Sequence, residues 1–188
     1  MSDNFFMQQA GNVFSSGDVS LIDRDNFQAQ NEILRGDACI HDNFFMNEAL
    51  NEARNAFSRG DVPVGALIVR NNEILSYGSD AKISDPTEHA EIIAIRSCAR
   101  KLNHWNLSGC TLYVTLEPCP MCAGACVNAR ISRVVYGAKN YKSGAAGTLY
   151  NILQDSRLNH TCKVQSGVMQ SECLAILQEY FLLRRKSS

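Results

Sequence analysis

No run of about 18 apolar residues occurs in this chain, so no membrane-spanning helix is expected. The N-terminus has neither a basic start nor an apolar stretch, so a secretory leader is not expected. Residues 1–41 hold six acidic residues against two arginines, which argues against a mitochondrial presequence. Charge of either sign is scarce in the balance: the net charge is −1, which by itself calls for no polyanionic partner. Only one C-x-x-C is present, Cys119 to Cys122, and a four-thiolate structural zinc site needs a second. Eight cysteines without a leader fit a reducing compartment, and a cytoplasmic location is expected.

What is present suits one domain and an appendage. The chain has 188 residues, 45% of them hydrophobic, enough for a proper core. Residues 42–188 carry 13 acids and 16 bases, a mildly basic body that is permissive for RNA. Residues 1–41 are acidic, rich in Asn, Gln and Ser, and lack sustained periodicity, and are read as a weakly ordered extension. Asp3-Asn4-Phe5-Phe6-Met7 recurs as Asp42-Asn43-Phe44-Phe45-Met46. A short duplication or a start placed too far upstream would both produce that repeat.

From Asn43 the pattern is helical. Phe45, Ala49, Leu50, Ala53, Ala56 and Phe57 share a face, and Gly60 ends the helix. Strands are expected over residues 64–69 and 74–77 around an Asn71-Asn72 turn, then at 110–116, 133–137 and about 161–165. Helices are expected over 88–102 and 119–130, and a last one capped by Ser171 with Cys173, Ile176, Leu177, Tyr180 and Phe181 inward. Strands alternating with helices predict a three-layer α/β/α sandwich with a mixed sheet of about five strands. Trp105, Tyr113 and Phe57 read as core, as do Cys39, Cys98, Cys110, Cys126, Cys162 and Cys173.

Chemistry concentrates in two short segments, His89-Ala90-Glu91 and Pro118-Cys119-Pro120-Met121-Cys122. One imidazole and two thiolates leave the fourth position of a tetrahedral zinc open, the mark of a working metal site. A water there can have its pKa lowered from about 15.7 to about 7. Both segments are placed at helix starts, with Thr87 or Asp85 capping one helix and Pro118 and Pro120 in the first turn of the other. Positive helix ends favour the two thiolates. His89 and Glu91 are two apart and share no helix face, so the site must lie over the helix end. A redox pair or half a structural zinc site are the competing readings of a lone C-x-x-C, and the upstream H-x-E disfavours both.

The H-x-E and P-C-x-x-C pair is the signature of zinc nucleobase deaminases. Further blocks narrow the match: Val62-Pro63-Val64-Gly65-Ala66, Asp85 to Glu91, Thr115 to Ala125, Ser143-Gly144-Ala145-Ala146-Gly147-Thr148, and Tyr180-Phe181 with Arg184-Arg185. Over about residues 43–186 the chain resembles the bacterial tRNA-specific adenosine deaminases of the zinc-dependent cytidine/deoxycytidylate deaminase superfamily. The resemblance implies a cytidine deaminase-like fold and a homodimer. It also implies hydrolytic conversion of adenosine to inosine at wobble position 34 of a tRNA anticodon arm. It makes His89, Cys119 and Cys122 the ligands of one Zn²⁺ per subunit and Glu91 the proton shuttle. Asp80 stands where the family usually has a substrate-contacting Asn, and Asn140 where it commonly has Asp. Asp80, Asn140, Lys142 and Arg184 are thus the candidate substrate contacts. The competing functions are deamination of a free base or nucleoside such as guanine or cytosine, and a non-catalytic zinc subunit. Glu91 argues against the latter, since a silent subunit needs no proton carrier.

Overall fold

Apolar residues three and four apart make the first helix and decide which side of it is buried. A computed structural model describes residues 24–186 except Ser84, with side chains from His41 onward. Helix α1 (Arg24–Ser58) buries Phe45, Met46, Ala49, Leu50 and Ala53. It ends in a Schellman turn: Gly60, at φ 82°, donates to Phe57 O, and Asp61 N–H reaches back to Ala56 O. α1 starts at Arg24, well before the apolar spacing begins at Asn43. Gln28-Ala29-Gln30 and Glu32-Ile33-Leu34-Arg35 are good helix formers, so local propensity suffices for helical backbone there. The Asp3–Met7 copy of the repeat lies outside the described residues. Among the described residues, every strand lies in the compact unit that starts at Asp37.

Asn71 and Asn72, both at positive φ, turn β1 (Gly65–Arg70) into β2 (Glu73–Ser79). Helix α2 (Ala90–Leu102) leads to β3 (Thr111–Leu116), and α3 (Pro120–Asn128) to β4 (Arg133–Ala138). β5 (Lys163–Ser166) and α4 (Gln170–Lys186) complete the chain. The sheet order is β2-β1-β3-β4-β5. β1 pairs antiparallel with β2 and β3, while β3–β4, joined through α3, and β4–β5, joined by the long connection over 139–162, are parallel. The sheet is mixed, as expected. α4 begins at Gln170, so Ser171 lies inside its first turn and does not cap it.

The two faces of the sheet can be told apart by the closest approaches. A Cβ on Gly65 would come within 2.0 Å of Ala49 O, and one on Gly137 within 2.3 Å of Cys173 Sγ. Those strand positions face α1 and α4. A Cβ on Gly78, on the opposite face, would lie 2.2 Å from Ala90 O in α2. The result is helix, sheet, helix, with Leu67, Ile68, Leu112, Val114, Val134 and Val135 fully buried between layers. Asp42 staples α1 to the sheet. It takes Arg133 through two bonds of 2.8 and 2.7 Å and the Tyr113 hydroxyl at 2.8 Å. Cys98, Cys110, Cys126, Cys162 and Cys173 are buried free thiols, as expected, while the Cys39 side chain lies outside the described ones. Trp105 departs from expectation: it is 62% exposed and stacks on His104, because Asn103 ends α2 in a left-handed turn that carries the chain to the surface.

Candidate metal and active site

The starts of α2 and α3 converge at the C-terminal edge of β3. His89 holds the N-cap position of α2 and Cys119 that of α3, and neither side chain caps its helix. Both are therefore left to face each other. His89 Nδ1 lies 3.7 Å from Cys119 Sγ and 3.5 Å from Cys122 Sγ. A tetrahedral zinc with Zn–S of about 2.3 Å and Zn–N of about 2.0–2.1 Å separates sulfur from nitrogen by about 3.6 Å. The donor set and spacing fit that ion. Among the described residues this is the one His, Cys or carboxylate group close enough to share a metal.

Of the three groups, Cys119 alone is shifted toward the form a metal ligand takes. The Cys119 thiol is drawn down to about 3, chiefly by a hydrogen bond from Cys122 and then by His89. Cys122 is pushed up by the same bond and by burial, and Cys119 pulls His89 upward. Glu91, in the first turn of α2, is 3% exposed, and burial pushes its carboxyl up to about 7. The charges of Asp80 and Cys119 add to that rise and His89 opposes it. A cavity of about 60 Å³ joins His89, Cys119 and Glu91 to Asp80, Lys82 and Asn140.

The chain matches the MafB19-like deaminase family over residues 40–185. It is 45% identical over 147 residues to the tRNA-specific adenosine deaminase of Bacillus subtilis (strain 168), covering 77% of this chain and 91% of that protein. The tRNA-specific adenosine deaminase of Haemophilus influenzae (strain Rd) is likewise 45% identical, over 77% of this chain and 86% of its own. A solved structure from a study of A-to-I editing by tRNA:A34 deaminases superposes with a TM-score of 0.68 at 41% identity, over 71% of this chain and 99% of that one. The chain belongs to the tRNA-specific adenosine deaminase family. His89, Cys119 and Cys122 form a group that could hold a metal ion, and His89, Cys119 and Glu91 line one cavity.

The remaining candidates separate. Asp80 is buried on the pocket wall, where Oδ1 accepts the Ala90 N–H at 2.7 Å. It thus occupies the amide at the start of α2 that Thr87 or Asp85 was expected to cap. Asp85 instead takes the N–H and hydroxyl of Thr87, each at 2.7 Å, in the preceding turn. Asn140 orders the loop after β4: Oδ1 accepts from the Lys142 and Ser143 amides, and Nδ2 donates to Ser143 Oγ. Asn140 also borders a groove of about 500 Å³ with Lys142, Leu177, Phe181 and Arg185. Arg184 lies elsewhere, donating to Gly60 O at 2.6 Å with its guanidinium over Tyr180. Its neighbour Arg185, not Arg184, joins Lys142.

Sequence reasoning missed one residue that frames the cavity. Glu117 is 1% exposed, and its carboxylate accepts the Asn140, Ala146 and Thr148 amides, each at 3.0 Å, and the Thr148 hydroxyl. Gly144 must lack a side chain beside it, since a Cβ would lie 2.5 Å from Glu117 Oε2. The adjacency of Glu117 to Pro118-Cys119 was the available signal, but its partners are 23 to 31 residues downstream.

Proposed function

We propose that this protein converts adenosine to inosine at wobble position 34 of tRNA by zinc-dependent hydrolytic deamination. One observation carries the reading. His89, Cys119 and Cys122 stand at the spacing of a three-ligand zinc site, with buried Glu91 on the same cavity, in a chain 45% identical to tRNA-specific adenosine deaminases. Bound Zn²⁺, one per subunit, supplies Lewis-acid activation of water for attack at adenine C6. Glu91 would carry one proton from the attacking water to the purine ring nitrogen and then a second, from the new C6 hydroxyl, to the amine, which leaves as ammonia. Its burial suits both roles, because it holds the carboxyl on the cavity wall and away from bulk solvent. The wall formed by Asp80, Glu117 and Asn140 excludes bulk water from the reacting carbon.

The groove beside Asn140 fits the nucleotides flanking a flipped-out base. Lys142 and Arg185 meet its phosphates, and Phe181 and Tyr141 offer faces for stacking. Asn140 adds no negative charge there. Arg184 serves this surface by tying α4 to the end of α1. Residues 42–188 form the deaminase domain and 1–41 an extension to it. The protein acts in the cytoplasm as a homodimer. No helix among the described residues is long and apolar enough to cross a membrane.

The test offers the zinc-loaded protein an anticodon-arm RNA with adenosine at position 34, free guanine and free cytosine. Inosine in the RNA, with no ammonia from the free bases, is the expected result. Ammonia from a free base and intact RNA would mark a small-molecule deaminase. No turnover on any substrate would mark a silent zinc subunit.

A further inference from the structure

An ion pair closes one side of the metal pocket, and the chemistry above leaves it unused. Asp80 is 1% exposed, and its backbone is fixed on both sides: its N–H donates to Val64 O at 3.0 Å, and its carbonyl takes Arg59 at 3.1 Å. Oδ1 is committed to the Ala90 amide. Oδ2 is buried without a directed hydrogen bond and faces Lys82 Nζ at 2.8 Å. The Lys82 side chain is 33% exposed, so the ammonium bridges the buried carboxylate and solvent. Among the described residues lining the small cavity it is the one lysine or arginine.

An asparagine at position 80 could accept the α2 amide with its oxygen and still offer its NH₂ to a substrate. A carboxylate accepts only. In this chain the donor on that wall is therefore the neighbouring ammonium, which is ion-paired to Asp80 and has three N–H groups. A nucleotide whose base reaches His89 and Glu91 leaves its sugar and phosphodiester at the pocket rim. Those groups present oxygen acceptors and negative charge, the complement of an ammonium.

We propose that Lys82 and Asp80 act as one substrate-recognition unit. Asp80 is the positioning residue that fixes both the start of α2 and the ammonium, and Lys82 donates to a sugar or phosphate oxygen of the target nucleotide. This rests on the deaminase reading given above. The unit makes recognition depend on charge, because the donor on that wall is an ammonium.

The experiment compares wild type, Lys82→Met, Lys82→Arg and the double variant Asp80→Asn/Lys82→Met on the position-34 anticodon arm, with zinc content measured for each. Lys82→Met is expected to raise KM about tenfold, with kcat changed less than about twofold and zinc retained. The slope of log affinity against log salt should fall by about one. Lys82→Arg should restore KM and slope. The double variant, with no orphaned carboxylate and an amide donor in its place, should recover most of the KM but not the slope. Wild type that edits the arm while Lys82→Met matches it in KM and slope overturns this proposal alone. So does a Lys82→Met defect confined to kcat or zinc content. Wild type that leaves the arm unmodified overturns the deaminase reading and this proposal together.

Discussion

Replacing Glu117 by Gln removes one charge and swaps one acceptor for a donor at a point where four donors converge. The new amide oxygen can keep the Ala146 and Thr148 amides. Its NH₂ then faces the Thr148 hydroxyl, which can rotate to accept, and the Asn140 N–H, which cannot. One hydrogen bond to a charged group is lost, worth about 1.5–3 kcal/mol, and a buried donor is orphaned at about 1–3 kcal/mol. Partial relaxation of the loop brings the expected cost to about 3 kcal/mol. With a urea m-value of about 2 kcal/mol/M, the midpoint should fall by about 1.5 M. The loss should concentrate in the loop. Hydrogen exchange at the Asn140, Ala146 and Thr148 amides should accelerate while the β3 and β4 amides keep their order of protection. Zinc content should hold, because Glu117 touches no ligand side chain, while KM for an anticodon arm rises with the loosened groove. A midpoint within about 0.2 M of wild type, with unchanged exchange at those three amides, would refute the assignment of Glu117 as organiser of the loop.

Three further variants follow from the same geometry. Asp42→Ala strands the Arg133 guanidinium and the Tyr113 hydroxyl; since Arg133 is 31% exposed, the cost should sit at about 2–4 kcal/mol, below that of a fully buried pair, and urea unfolding measures it. Glu91→Gln should keep zinc and fold and lose at least about 10²-fold in turnover. In metal-free protein, Glu91 is raised to about 7 by burial, so its stabilising effect is complete below about pH 4.5 and is lost as pH rises through 7. That loss is about 3 kcal/mol. The stability of metal-free Glu91→Gln should be correspondingly flatter between pH 5 and 8 in paired urea titrations, and parallel curves would contradict it. Asn140→Asp keeps the acceptor for the Lys142 and Ser143 amides but sets a negative charge beside the groove, so it should weaken tRNA binding at fixed salt with little change in unfolding midpoint.

Local signals read well from the sequence wherever cause and effect are close in the chain. Asn71-Asn72 between two apolar runs specified the hairpin, and Gly60 after an apolar helical face specified the Schellman turn. The two-residue spacing of His89 and Glu91 predicted a cluster over a helix end and not along its side, and His89 does hold the N-cap position of α2, close to Cys119 and Cys122. Partnerships across long stretches left no such trace. Arg133 is 91 residues from Asp42, and nothing in either neighbourhood marks a buried pair. Glu117 looked like part of a motif block, but its partners are backbone amides, which carry no sequence identity. Asp80 was noticed as a departure in residue type. That its carboxylate holds the first amide of α2 emerged only once β2 and α2 were brought side by side, with Gly78 permitting the approach. Trp105 was misplaced for the opposite reason: size and apolarity argue for burial, but a short polar turn after Asn103 carries it outward.

The most direct test of the account is zinc-edge X-ray absorption on full-length protein purified under reducing conditions and loaded with one equivalent of zinc. Two sulfur scatterers at about 2.3 Å, nitrogen or oxygen neighbours at about 2.0 Å and a total coordination of four are predicted, with one sulfur lost in Cys122→Ser. A four-sulfur shell, or protein that retains no stoichiometric zinc because Cys119 and Cys122 are joined as a disulfide, would contradict it.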